Sequence, residues 1–444
     1  MERRGNGPRP ETCYKWAMGR PWVTRGRKSR ATLGIARALL GASVAALTAA
    51  CSAPPASKAP QSAAISTPSA ASDGGEIFDF PELIASPLPI GALPSSLAPF
   101  IEQCRDGDAA LSRVAERFAR RQSDGSAPLD VSEISFALRA EGSPYVWPRA
   151  WTLEGGDLTS AAAVTRMQAW LHGFDDGGQR RCGVALAVTK ERSVLAAVAV
   201  DALADLEPLP VQVRAGSWVE IAARLLVPAE NAKFIVLGPN GSPRSVPTSF
   251  DGKRARARFP ADRPGAFLVQ LLASVAGGPR PVLEATVYAD VPTPHSYFGD
   301  AAPGEPSEPL APSADQAEAL LAMVNQARAS EHSPTLRRIA SLDVVASQHA
   351  EAMRKLKRIA HDAGDGDPRA RVEAANLDVL AAGENVAHAL DITRAHRALW
   401  ASPSHRENLL QPRFDGIGIG IAVDPDGSIW VCEVFADFPD RLLE

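Results

Sequence analysis

The chain has 444 residues, more than one core comfortably takes, and its hydrophobic content of 45% is that of a globular protein. Its formal charge of −4 joins two unlike parts: residues 1–50 hold ten of the 47 Lys and Arg and two of the 51 Asp and Glu, leaving 37 against 49, a net −12, in the rest. So acidic a body argues against general nucleic-acid binding, which needs a basic surface.

The basic residues belong to a targeting pattern. GRKSR is followed by ATLGIARALLGASVAALTAAC, a basic region, an apolar stretch and small residues before Cys51. The uninterrupted apolar part, 38–50, is shorter than the roughly 20 residues that span a bilayer and suits a signal segment. LTAAC resembles a bacterial lipobox, with Thr48 where Leu is usual; the resemblance implies lipidation of Cys51 as the new N-terminus, and plain cleavage after Ala50 is the alternative. Either way the protein is expected to be exported to the cell envelope, lipid-anchored or secreted. Export permits disulfides, so Cys104 and Cys182 form the candidate pair, while Cys432 reads as a small buried strand residue.

Residues 52–95 begin with a Pro, Ala and Ser-rich run and are expected to form a flexible tether. Residues 96–206 form an α/β region, and 207–292 is β throughout, short runs such as WVEIAARLLV and AKFIVLG being broken by PNGSP and FDGK. That spacing predicts a β-sandwich of immunoglobulin-like type without a catalytic constellation. A Pro and Gly-rich linker over 293–311 leads to a domain over 312–444. Its helices are predicted at 315–330, 340–358 and 386–400, followed by a hairpin, IGIGIAVDPDGSIWVCEVFA.

The sequence also echoes itself. GVALAVTKERSVLAAVAV (183–200) aligns without gaps on GIGIAVDPDGSIWVCEVF (418–435), and Glu154 precedes Trp170 by the same 16 residues that separate Glu384 from Trp400. Residues 96–206 are therefore expected to be a degenerate copy of the C-terminal domain. Only the second copy is rich in histidine; the first has His172 alone.

Seven motifs, NQAR (325–328), ASQHAEAM (346–353), AH (360–361), GENVA (383–387), LWASPSHRENLL (399–410), FDGIGIGIA (414–422) and IWVCEVFA (429–436), together resemble the bacterial form of the CAP superfamily, also called SCP domains. The resemblance covers about 312–437 and implies a three-layer α-β-α sandwich with a cleft over its sheet. In animal and fungal members that cleft holds two His and two Glu able to bind a divalent metal. His361, Glu384 and His405 match three of the four, and Pro403 stands where the second Glu would fall. The resemblance thus implies a ligand cleft, or a zinc-type site, built from His361, Glu384 and His405; three protein ligands with an open position is the arrangement of catalytic zinc. The bland readings make His405 a helix-start residue, His361 a partner of a helix end, and Glu384 a hydrogen-bond acceptor. His349, Trp400 and Trp430 read as packing, His388 and His396 as solvated helix faces, and Asn408 as a local turn residue.

Nucleophilic catalysis has little behind it: Ser402 and Ser404 adjoin His405 without a GxSxG elbow, and Cys432 has no evident base. Three functions fit the sequence. The chain is a binding module for a small or apolar ligand at the envelope, a metal-assisted hydrolase using His361, Glu384 and His405, or an envelope scaffold. The first accommodates the missing second Glu best.

Overall fold

The computed structural model describes residues 77–91, 93–126, 131–174, 177–276, 278–297, 299, 301–307 and 315–439. The targeting segment, Cys51 and the tether through residue 76 lie outside the described residues. No helix among the described residues is long and apolar enough to cross a membrane.

In the C-terminal region a four-stranded sheet runs in the order Arg337–Arg338, Gly416–Val423, Ile429–Asp437, Ala381–Ala389. The first pair is parallel and the other two antiparallel. Both faces are covered. Glycines 418 and 420 bring helix Ala340–Leu356 directly onto the sheet: a Cβ on Gly418 would lie 2.1 Å from the Leu342 carbonyl carbon, and one on Gly420 2.2 Å from that of Ala346. Ile417, Ile419 and Ile421 point the other way, into a core with Leu320 and Val324 of helix Gln316–Ser330 and Leu399 and Trp400 of helix Ile392–Ala401. Alternation of Gly and Ile along one strand thus builds the three-layer α-β-α sandwich. Asp315 and Asp391 cap those two helices through their backbone N–H groups.

The predicted helix over 386–400 is in fact a strand, Ala381–Ala389, and a helix, Ile392–Ala401. His388 consequently sits on the sheet, stacked on Trp430 at 4.2 Å with Nε2 on Ser428 Oγ. His396, expected on a solvated face, is fully buried with Nε2 on the Pro303 carbonyl. That contact and the Arg397–Glu305 ion pair hold part of the expected linker on the domain.

The N-terminal α/β region has a sheet of the same plan: Asp106–Gly107, Gln179–Val188, Ser193–Ala202, Arg149–Glu154, again parallel, antiparallel, antiparallel. A Cβ on Gly183 would lie 1.9 Å from the Ser112 nitrogen of helix Ala109–Ser123, as Gly418 meets the helix at Leu342. Asp108 N–H bonds the Cys182 carbonyl where Ile339 N–H bonds that of Ile417. Strand registers then superpose residue by residue, with one change. The turn of the second hairpin is a residue longer, since Val188 pairs with Ser193 but Val423 with Ile429. The gapless alignment is therefore out by one past the turn. Glu154, opposite Val194, corresponds to His388 opposite Trp430, and the position of Glu384 is held by Ala150. Cys104 and Cys182 are joined as a disulfide, their Cα atoms 5.7 Å apart.

Between these regions two sheets pack face to face. One has five strands and the other four, with Phe234, Val269 and Leu271 of the first meeting Val219, Ile221 and Phe259 of the second. Strand Ala204–Leu206 belongs to the four-stranded sheet, so the sandwich starts three residues before the expected boundary at 207. Residues 77–91, assigned to the tether, are held on the body instead: Leu83–Ile84 pairs with Leu209–Pro210, and Phe78 and Ile84 are buried.

Candidate functional site

The site grows around Glu384, whose strand sets it into the sheet opposite Val434. Its carboxylate is engaged at both oxygens. Oε1 accepts from His361 Nδ1 at 2.8 Å and lies 3.7 Å from His349 Nε2. Oε2 is ion-paired to Arg371 Nη2, and the Cys432 thiol donates to it at 3.4 Å. Burial would raise the carboxyl pKa, but the His361 hydrogen bond and the His361, Arg371 and His349 charges outweigh it and hold it below the usual range.

Each partner is in turn fixed. His349, on helix Ala340–Leu356, places Nδ1 2.8 Å from Asp365 Oδ2 and Nε2 2.8 Å from the Ala360 carbonyl. Arg371, on helix Pro368–Ala374, donates from Nη1 to the carbonyls of His361 (2.9 Å) and Gly366. One guanidinium thereby pins the loop that carries His361 to the carboxylate that His361 meets. Of these side chains Glu384 (1% exposed), His349 (0%) and Arg371 (6%) are shut away, while His361 (22%) and Asp365 (25%) reach solvent.

His405 lies on helix Pro403–Leu409 and is buried, its Nδ1 without a partner. Burial, helped by the His361 charge, pushes its pKa down to about 3, so it is neutral at ordinary pH. The helix is tied to the sheet by two amides: Asn408 Nδ2 donates to the Glu384 carbonyl and Asn385 Oδ1, both at 3.0 Å, and Asn385 Nδ2 donates to the His405 carbonyl (3.2 Å) and Glu433 Oε2 (3.1 Å). Asn408 is thus a bridge to the sheet and not a local turn residue. Glu433 is fully buried with Oε1 unpartnered, and burial, against the Asn385 hydrogen bond, raises its pKa to about 7.

The sequence singles out His361, Glu384 and His405. His361 and Glu384 are in contact, and His405 closes the same cluster through Asn385 and Asn408. His349 and Cys432, which read in the sequence as packing residues, are bonded into the cluster, and Arg371, Asp365, Asn385 and Glu433 join it without having been singled out by the sequence. The alternation that makes Glu433 a neighbour of Val434 was legible; that both faces of its sheet are covered was not.

A metal centre requires a free carboxylate beside the imidazoles, and Glu384 is not free. Both oxygens of Glu384 are taken, one by a guanidinium, which is itself a cation in the place a metal would need. Pro403 supplies no ligand. Among the described residues no three His, Cys, Asp or Glu side chains are grouped so as to hold a metal ion. The donor set does not fit one. Cys432, buried with its pKa raised well above normal by burial, is a poor nucleophile.

The second domain of the chain borders this cluster. Helix Pro403–Leu409 has no side-chain cap of its own; Gln270 of the sandwich, fully buried, accepts from Ser404 N at 3.0 Å and donates to Ser402 Oγ at 3.1 Å. Lys233 pairs with Glu407 at 3.2 Å. Gly278, in the turn of the hairpin Gly265–Val275 and Gly278–Ala289, lies against His361, where an added Cβ would be 3.4 Å from the His361 Cβ. The motif residues Asn325 and Arg328, by contrast, are scaffold: Asn325 bonds the Leu336 backbone, and Arg328, fully buried, donates to the carbonyls of Pro334, Leu409, Gln411 and Phe414.

Residues 321–434 match the family model for CAP, the cysteine-rich secretory protein family. Among solved structures, an outer surface protein of Borrelia burgdorferi is 21% identical, covering 27% of this chain and 91% of its own, at a TM-score of 0.26. An extracellular SCP-domain protein of Bacillus anthracis is 17% identical over 53% of this chain and 86% of its own, also at 0.26. A cysteine-rich secretory protein of Staphylococcus aureus is 13% identical over 53% and 83%, at 0.24. No curated protein matches. Residues 321–434, within the C-terminal third of this chain, are thus a CAP domain of the cysteine-rich secretory protein family.

Proposed function

We propose that the chain is an exported, lipid-anchored binding protein whose CAP cleft takes a small or apolar ligand above a fixed polar floor. The observation that carries this is the double engagement of Glu384. A carboxylate ion-paired to Arg371 at one oxygen and hydrogen-bonded to His361 at the other, with its pKa held below the usual range, is a weak general base. The hydrolase alternative needs that base. A binding site needs a preorganised floor with an accessible donor or acceptor, and His361 is the imidazole that solvent reaches.

The N-terminal α/β region is, on this reading, a second CAP copy that has kept the frame and lost the floor. The strand and helix correspondences put Phe118 where His349 stands, Ala150 for Glu384, Trp151 for Asn385 and Ala197 for Glu433. Every polar member that has a counterpart is replaced by an apolar one. The central sandwich, of immunoglobulin-like type, sits between the copies as a spacer that also braces the cleft. The signal pattern and Cys51 support export and anchoring.

Native mass spectrometry of the protein isolated from the envelope tests the reading. Wild type is expected to carry a bound small molecule or lipid that His361→Ala, folded to the same melting temperature, retains far less. A ligand-free wild type, or equal retention in the variant, would overturn it.

A further inference from the structure

The four-stranded sheet of the sandwich turns one face to the core and leaves the other open. On strand Ser217–Leu225, Val219, Ile221, Ala223 and Leu225 are buried, while Trp218, Glu220 and Arg224 are exposed. On its neighbour, Arg254–Ala261, the residues Ala255, Phe259 and Ala261 are buried and Arg256 and Arg258 exposed. The register sets Arg254 opposite Arg224, Arg256 opposite Ala222, Arg258 opposite Glu220 and Pro260 opposite Trp218. Four arginines, one tryptophan and two acids, Glu220 and the Asp205 that stands opposite Arg224, therefore share the outer face.

Trp218 is 62% exposed, and the Arg258 guanidinium lies over its ring at 5.0 Å. Arg254 pairs with Glu207, and Arg224 with Asp205, a carboxylate already held by Arg181. Arg256 has Asp251 of the adjacent turn within its field. Charge sets the sandwich as a whole apart from the rest of the chain. Residues 207–292 hold ten Lys and Arg against seven Asp and Glu, a net +3, whereas the rest of the chain from residue 51 holds 27 against 42, a net −15.

We infer that this outer face is a docking surface for an anionic phospholipid membrane. Guanidinium groups match phosphate geometry, and an indole with an apolar body and one polar N–H is at home at the level of lipid headgroups. An open sheet face offers a broad surface and no groove for a single polymer strand, which favours a membrane over a soluble polyanion. The inference is independent of the cleft reading: it needs neither His361 nor an acyl chain on Cys51.

Vesicle co-sedimentation of the chain from residue 51 on, carrying Cys51→Ser so that no lipid is attached, tests it. Binding is expected to vesicles of phosphatidylcholine containing phosphatidylglycerol, to weaken with salt, and to be absent with phosphatidylcholine alone. The double variant Arg256→Glu/Arg258→Glu should weaken it at least about 30-fold, taking each basic residue at its usual contribution at an anionic surface. Trp218→Ala should weaken it several-fold, and Arg394→Glu, an exposed charge on the CAP domain, should leave it unchanged. Failure to bind, equal binding to both vesicle types, undiminished binding by the double variant, or capture of dextran sulfate without capture of vesicles would each overturn the proposal.

Discussion

His405 and Glu433 hold opposite charge states out of reach, and together they set a pH window for the CAP domain. His405 ionises near 6.5 when unfolded but at about 3 in the fold, so between these values the unfolded chain binds more protons and stability falls as pH is lowered. Glu433 ionises near 4.5 unfolded and about 7 folded, so above 4.5 the folded chain binds more protons and stability falls as pH rises. The two slopes cancel between about 4.5 and 6.5. Outside that plateau stability should drop on both sides, by about 2 kcal/mol from pH 4.5 down to 3 as His405 takes its proton, and by about 0.7 kcal/mol from pH 6.5 up to 7 as Glu433 loses its own. Thermal unfolding followed across pH should show this, and Glu433→Gln should remove the alkaline fall; an unchanged alkaline limb would refute the assignment.

Arg371 makes a second residue-scale case. Removing one partner of a buried pair strands the other charge, so Arg371→Ala should cost about 3–5 kcal/mol, whereas Arg371→Met with Glu384→Gln should cost much less. Chemical denaturation of the two variants beside wild type measures it, and a double variant that loses as much as Arg371→Ala would contradict the coupling. Arg371 carried no signal in the sequence because its partner is an accident of the loop path through His361 and Gly366. His349 was legible as a buried helix position but not as a bonded one, since the loop carrying Ala360 and Asp365 returns over it only in the fold.

Among elements, helix Pro403–Leu409 is the most exposed to influence from outside its own domain. Its N-terminal N–H is satisfied by Gln270 of the sandwich, and its body by Asn408 and the His405 carbonyl on the sheet side. Losing a helix-terminal acceptor costs about 1 kcal/mol, so Gln270→Ala should open this helix about five- to tenfold more often while the sheet stays protected. Amide exchange over residues 403–409 reads this directly; unchanged exchange would show that the sandwich does not brace the helix. The hairpin and the Gly–Ile alternation were readable from sequence because their period is local. The end of strand Ala381–Ala389, from residue 386 on, reads as helix because GENVAHAL, in a sheet covered on both faces, shows no clean alternation. The one-residue difference between the two hairpin turns is invisible to a gapless match and appears only when strand registers are compared.

For the molecule as a whole, the repeated frame separates what the fold needs from what the site needs. The N-terminal α/β region has the strand order, the registers and the glycine under a helix seen in the CAP domain, yet carries Ala150 at the position of Glu384. A sheet of this plan therefore stands without the cluster, and on the proposed reading the CAP domain retains a costly set of buried polar groups for another reason. On this account the reason is a polar floor fixed by Arg371. Calorimetric titration of the purified protein with Zn²⁺, beside His361→Ala and His405→Ala, tests that most directly. The account predicts no stoichiometric binding by the folded wild type and no difference among the three; one equivalent bound by wild type and lost in both variants would contradict it.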